Sequence, residues 1–427
     1  MERIKRLLKE AGISDYIVNG YTERTAELFF VKKQLDTRRI KDVEKFKVTV
    51  YRTGEKDGAK LRAFTDVTVL EAQTDAEIID AFRGAYFAAQ FAMNPYYELP
   101  DPVIAPLIEA KGKLAEQAPE ISAGEMAEAL FSADHEKGAF VNSAEIFVIQ
   151  KRVHVVSSAG TDVSWTEASV KGEYVVQAKE PEDVEMYRDF GGYTELNTAA
   201  LTAHVKEALT FVKDRARAQR ILKSGNYDVI LSDENVMQTL WFYAERSEAN
   251  MLYPGYSTWK VGDAVQGEAV GERIDLTLKV RQPYSDEGIP MKDLKLLENG
   301  VLRAVHGANR FCRYLGVEPT GSYRKFSCDN PGSMTFAAMK DRPCLWAVTF
   351  SGFEMDSFSG HFGGEIRLAY LIENGKATPV TGGSINGNIF EAQKDLAFSK
   401  ERYSELSYDG PYAMLLKNIP VAGTDAE

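Results

Sequence analysis

The sequence predicts an α+β protein in which two mixed antiparallel sheet-plus-helix units precede a large β-rich C-terminal domain. Three observations carry that expectation. Alternating runs such as Lys47-Val-Thr-Val-Tyr51 have the period of strands with one covered face. From Asp75 to Met93 and from Thr198 to Arg220, apolar residues instead recur every three or four positions, which is the period of a helix. Asn-Gly dipeptides flanked by apolar runs, at Asn299-Gly300, Asn374-Gly375 and Asn386-Gly387, mark the C-terminal half as antiparallel hairpins. A type I′ turn needs φ > 0 at both central residues, which Gly and Asn tolerate best.

The chain has 427 residues, more than one ordinary core holds, and it divides into units at 1–100, 103–225 and 226–427. The first opens with a helix whose stripe is Ile4, Leu7, Leu8 and Ala11, ended by Gly12. Strand-like runs follow at 16–21, 26–35, 46–51 and 61–70. A helix with Ile78, Phe82, Tyr86 and Ala89 on one face then stops at Asn94-Pro95, and Leu99-Pro-Asp-Pro102 reads as a linker.

In the second unit, Ser122-Ala-Gly-Glu125 has capping-box spacing and predicts a helix start before Met126. Strands are expected at 144–149, 152–157 and 169–177. The covering helix at 198–220 buries Leu201, Val205, Ala208, Val212 and Ala216, with His204 at the boundary of that stripe. The third unit begins with the buried-strand run Tyr227-Asp-Val-Ile-Leu231, and Ser232 is the expected cap of the next helix. The stripe Val236, Met237, Leu240, Trp241 and Ala244 is expected to face the core, with a solvated charged end.

The net charge of −12 repels phosphate backbones, and no basic cluster with interleaved aromatics is present, so nucleic-acid binding is disfavoured. Cys312, Cys328 and Cys344 are an odd set without Cys-x-x-Cys spacing, which argues against disulfides or a zinc ribbon and for a cytoplasmic location. The N-terminus is no signal-peptide core. No apolar run reaches the roughly 18 residues of a membrane span.

In the C-terminal half, Asp286-Glu-Gly288 and Pro290, Glu298-Asn299-Gly300, Asn309-Arg-Phe-Cys-Arg-Tyr-Leu-Gly316, Leu371-Ile-Glu-Asn374-Gly375 and Leu415-Leu-Lys-Asn-Ile-Pro-Val follow one another in an order that resembles the TldD/PmbA family. Members of this family have carried the label "modulator of DNA gyrase", against which the acidity tells. The resemblance extends to Ser157-Ser-Ala-Gly-Thr-Asp-Val163, similar to the Asn-Ser-x-Gly turn of the family's middle domain.

The family's catalytic branch carries His-Glu-x-x-x-His on the helix after the Val-Ile-Leu strand. Two imidazoles hold zinc there, and the carboxylate sits beside a metal-bound water whose pKa falls to about 7. By that resemblance the hexad falls on Phe242-Tyr-Ala-Glu-Arg-Ser247, which puts Phe242, Tyr243 and Ser247 at ligand and base positions. No register places a histidine in this helix, and 399–410, where the family has its ligand cysteine, contains none. The resemblance therefore implies the TldE/PmbA-like branch, with no catalytic residue, metal ligand or cofactor in this chain. Zinc is expected only in a TldD-like partner, and the heterodimer would admit unfolded peptides. The alternative is a metal-free homodimer that captures peptides by strand addition.

Other candidates have plainer readings. His306, Cys312, Cys328 and His361 match no ligand spacing and are expected to be satisfied histidines and buried thiols. His135-Glu136 lacks a second histidine, since Ala139 and Phe140 stand where it would be, and reads as a solvated helix end. Asp286-Glu287 is either a turn or an acid–base pair, and the turn is expected beside Gly288 and Pro290. Arg310 and Arg313 are expected to ion-pair with those acids, with carboxylate binding as the alternative.

Overall fold

A computed structural model describes residues 1–135, 137–405 and 407–424, so Glu136 of the His135-Glu136 pair and Leu406 of the 399–410 segment lie outside the described residues. In the first half, β1 (Asp15–Val31), β2 (Gln34–Lys56), β3 (Ala59–Leu70), β4 (Asn94–Pro95), β5 (Phe140–Ser157), β6 (Asp162–Ala178) and β7 (Val184–Tyr193) form one antiparallel sheet. Its order is β4-β3-β2-β1-β5-β6-β7. The sheet runs through the expected break at 99–102, because β1 pairs with β2 on one edge and with β5 on the other.

Two helical layers nevertheless give the sheet separate cores. Helices α1 (Glu2–Glu10) and α2 (Asp75–Ala89) cover β1–β3 through Leu7, Leu8, Ile78 and Phe82. After the one-turn α3 (Lys113–Glu116), α4 (Pro119–Ser132) and α5 (Thr198–Ala216) join a second cluster with β5–β7 through Met126, Leu130, Leu201 and Val205.

Several elements differ from their sequence expectation. The runs at 16–21 and 26–31 are one strand, the rest of the expected 26–35 run being the turn at 32–33 and the start of β2, and 144–149 and 152–157 are likewise one strand, because pairing on both sides holds their polar middles extended. Helix α4 starts at Pro119, and the expected capping residue Ser122 is buried inside it, accepting a hydrogen bond from Gln117 Nε2 at 3.0 Å. A true capping box does stand at Thr74 and Glu77 before α2. The hairpin β2–β3 turns at Asp57-Gly58, both with positive φ, the same turn chemistry as Asn-Gly.

The third unit contains β8 (Gly225–Ser232), α6 (Glu234–Arg246), α7 (Ala249–Leu252), β9 (Leu276–Lys279), β10 (Leu294–Glu298), β11 (Val301–Leu302), α8 (Asn309–Leu315), β12 (Lys325–Cys328), α9 (Phe336–Met339), β13 (Cys344–Met355) and β14 (His361–Glu373). The remaining elements are β15 (Lys376–Val380), β16 (Ser384–Asn388), α10 (Ile389–Ala392), β17 (Leu396–Phe398), β18 (Arg402–Glu405), β19 (Tyr408–Pro411) and β20 (Ala413–Ala422). One sheet has the order β11-β10-β9-β12-β19-β18. The other follows β13-β8-β20-β16-β14-β15, and because β13 also pairs with β14 it closes on itself.

Asn299-Gly300 closes β10–β11 and Asn374-Gly375 closes β14–β15, all four residues with φ between 52° and 72°. Asn386-Gly387, expected to be a third turn, lies inside β16 instead. Gly387 is there because a Cβ would stand 2.2 Å from the Phe362 ring. The cap of α6 is Asp233, not Ser232. At φ 47° its side chain accepts from the Glu234 N–H at 2.6 Å, while the Ser232 hydroxyl accepts from Trp346 Nε1.

The segment read as a linker is docked. Asn309 Nδ2 donates to Glu98 O at 2.7 Å, Arg310 to Asn94 Oδ1 at 2.6 Å and Tyr314 to Pro95 O at 2.5 Å, while Arg313 lies 3.7 Å from Asp101. Arg310 and Arg313 therefore hold the segment before the second unit and do not pair with Asp286 and Glu287 as expected. Among the described residues no helix is long and apolar enough to cross a membrane.

Candidate functional site

Helix α6 lies between the two C-terminal sheets and is buried on more than the expected stripe. Phe242 and Tyr243 are 0% exposed, packed in the core with Trp259 and, for Phe242, Phe390. The Tyr243 hydroxyl donates to Gln393 Oε1 at 2.6 Å, and the Ser247 hydroxyl turns back onto Tyr243 O at 2.7 Å. These three positions, placed by resemblance at ligand and base positions, therefore face inward.

The face open to solvent is Met237, Gln238, Trp241 and Glu245, which with Arg324, Met355 and Ser407 line a cavity of about 360 Å³. Met237 and Trp241 were expected to be core. The helix is rotated because Asn235, anchored to Ser232 O and Val348 O, and Thr239 are buried on the side the stripe left out. Trp241 donates to Glu245 Oε1 at 3.1 Å and leans on Phe326, with ring centroids 5.4 Å apart. The cavity floor is thus an indole and two thioethers, edged by one carboxylate and one guanidinium.

A second cavity, of about 500 Å³, opens where the three units meet. Tyr21 and Lys45 come from the first, Lys151 and Glu167 from the second, Arg281 and Arg324 from the third. Arg324 lines both cavities, so the two, together called the trough, adjoin at its side chain. Tyr21 stands on its wall between two ammonium groups, Lys151 Nζ at 4.7 Å and Lys45 Nζ at 5.9 Å from the ring centroid. Thr194 leads on to a third cavity holding Tyr193, Lys325 and Glu405. Burial lifts the Glu405 carboxyl to about 7 although the Tyr193 hydroxyl donates to it. Sequence reasoning missed this trough because its walls come from strands far apart in the chain, and no local pattern links them.

The turn at Asp286-Glu287-Gly288 sits beside the trough and acts as a joint. Asn19 Nδ2, on β1, donates to Asp286 O at 2.9 Å, and Glu287 Oε2 accepts the Asn309 N–H at the start of α8 at 2.8 Å. Burial raises the Glu287 carboxyl. The Ser285 hydroxyl accepts from the Glu287 and Ile289 N–H groups, and Gly288 at φ 80° approaches Thr161 of the second unit so closely that a Cβ would lie 2.6 Å from its methyl. Asp286 and Glu287 have no shared target and form a turn.

The residues do not fit a zinc ion. Among the described residues no three His, Cys, Asp or Glu side chains converge. His306 is buried, its Nε2 bonded to Ala244 O at 2.8 Å and its pKa lowered by burial to about 4. His361 Nδ1 is bonded to Gly387 O at 3.2 Å. Cys312, Cys328 and Cys344 are buried, and burial pushes their thiols to about 11, 12 and 11, so they stand as neutral thiols. His204 packs edge-on against Tyr174, and desolvation lowers it to about 3. His135 is exposed.

Residues 224–423 match the PmbA/TldA metallopeptidase C-terminal domain. A metalloprotease of Methanothermobacter thermautotrophicus is 26% identical over 206 residues, 42% of this chain and 45% of that protein. A metalloprotease TldD homolog of Buchnera aphidicola is 32% identical over 155 residues, 32% of each chain. The matched stretches thus span less than half the length of these curated relatives. Across the whole chain the fold matches the crystal structure of TldE from Thermococcus kodakarensis with a TM-score of 0.74 at 17% identity, covering 99% of this chain and 100% of that one. A putative modulator of DNA gyrase from Thermotoga maritima superposes with a TM-score of 0.77 at 17% identity, covering 99% of each chain. Residues 224–423 thus belong to the PmbA/TldA metallopeptidase C-terminal domain family, and the chain as a whole has the fold of these TldE and gyrase-modulator structures.

Proposed function

We propose that this chain is the non-catalytic, TldE-like subunit of a two-chain metalloprotease, and that its trough holds an extended peptide while a TldD-like partner supplies the zinc and cuts. The observation that carries the reading is the open face of α6. Met237, Gln238, Trp241 and Glu245 stand on the helix where the catalytic branch has its imidazoles, and they offer apolar contact rather than metal ligation. The reading places the complex in the cytoplasm, acting in peptide maturation. Its test is the purified chain alone: after dialysis it is expected to retain no stoichiometric zinc and to leave unfolded peptides uncut. Tight zinc together with unaided cleavage would overturn it.

A second reading, a self-associating peptide binder, has its own observation. Strand β2 pairs with β3 only from Lys45 to Lys56, so residues 34–44 leave one ladder edge open, with Leu35, Ile40 and Val43 exposed. Such an edge takes an added strand. Light scattering separates the two, since a stable homodimer that ignores a TldD-like chain favours the second.

A further inference from the structure

The trough's larger cavity has a charge that the chain as a whole does not. In a protein of net charge −12, its wall carries six cationic side chains against three acidic ones. Three of the cations are matched in place: Lys47 lies 2.9 Å from Asp66, Lys151 lies 3.1 Å from Glu167, and Lys279 pairs with Asp293. The other three, Lys45, Arg281 and Arg324, have no carboxylate partner among the described residues. Glu23 and Asp286 share the wall, so the cavity keeps a positive excess, and the Glu23 carboxylate is engaged by the Thr25 hydroxyl at 3.2 Å.

Position sharpens the point. Arg324 stands at the neck between this cavity and the apolar one floored by Met237 and Trp241. A guanidinium with its donors free is the side chain best shaped to take a carboxylate in two parallel hydrogen bonds, and a concave wall of low dielectric strengthens the attraction. A small anion would use only the cationic cavity. A chain lying along the whole trough meets an apolar floor first and unmatched cations next. Resting on the reading of the trough as a peptide cleft, we propose that its cationic cavity selects extended peptides that carry a carboxylate a few residues from an apolar side chain. The carboxylate is either an acidic side chain or the free C-terminus.

The test uses the full chain and fluorescein-labelled, unstructured dodecapeptides read by fluorescence anisotropy at low salt. One has a leucine followed by three glutamates, a second replaces the glutamates by glutamines, and each is made with a free and an amidated C-terminus. The glutamate peptide is expected to bind at least about tenfold tighter than the glutamine peptide, an advantage that shrinks with added salt. The advantage should vanish in Arg281→Glu/Arg324→Glu, whose sites are exposed and whose thermal midpoint should stay near the parent's. If the glutamate advantage persists in the amidated pair, side chains are the source; if the two peptides bind alike with free ends and both weaken at least about tenfold on amidation, the C-terminus is.

An equal affinity of both peptides that is also unchanged by amidation, a carboxylate preference that survives the double substitution, or equally tight capture of a single-stranded DNA dodecamer would overturn the proposal. Where the glutamine peptide still binds and loses affinity in Trp241→Ala, the peptide cleft stands and only its acidic preference falls. Binding of no peptide removes both.

Discussion

Glu405 is 8% exposed at the end of β18 and accepts the Tyr193 hydroxyl, yet burial holds its carboxyl near 7. A carboxyl raised in the folded state binds more protons there than in the unfolded chain. Its contribution to stability is therefore complete below the unfolded pKa of 4.5 and is lost as pH rises towards 7. The loss is of order 3 kcal/mol. Urea titrations at pH 5 and pH 8 should show it in the parent and not in Glu405→Gln, which stays neutral throughout. Gly288 gives a second residue-scale expectation. Gly288→Ala meets both a positive φ and the Thr161 methyl, and should cost roughly 1–3 kcal/mol. Adding Thr161→Ser removes that methyl and should recover part of the loss, which chemical denaturation of the single and double variants would read. The sequence announced the turn at Asp286-Glu287-Gly288 through its Gly and Pro. That the turn touches Asn19 and Thr161 was not legible, because those contacts cross more than a hundred residues.

At the scale of elements, α6 separates two roles that its pattern merges. Phe242 is fully buried among aromatic rings, so Phe242→Ala should destabilise the fold by about 3–5 kcal/mol. Trp241 is half-buried over a cavity, so Trp241→Ala should cost less stability and weaken peptide binding by about tenfold or more. Thermal melts and anisotropy on the two variants check the split. The helix and its length were readable from the spacing of Val236, Leu240 and Ala244. Its rotation was not, because the polar Asn235 and Thr239 are buried through hydrogen bonds that hydrophobic periodicity does not register. The hairpins at Asn299-Gly300 and Asn374-Gly375 were legible from turn chemistry alone. Asn386-Gly387 has the same letters but serves a close approach to Phe362, which only the tertiary structure dictates. Strand lengths were underestimated for a related reason: the polar stretch Thr22–Thr25 is held extended by neighbours on both sides.

For the whole molecule, the seven-stranded sheet and the docked 93–102 segment lock the first two units to the third, and the trough opens along that seam. The α+β class and the β-rich C-terminal half could be read from period and turn residues. The shared sheet could not, since pairing between β1 and β5 joins residues more than a hundred positions apart. The function proposed for this architecture requires a second chain. The measurement that tests it most directly is the metal count of the complex purified with a TldD-like subunit, repeated with His306→Gln, Cys312→Ser, Cys328→Ser and His361→Gln in this chain. The account predicts one zinc per pair and unchanged peptide cleavage in each variant that folds. Two zinc ions per pair, or zinc lost when one of these donors is replaced in a folded chain, would contradict it.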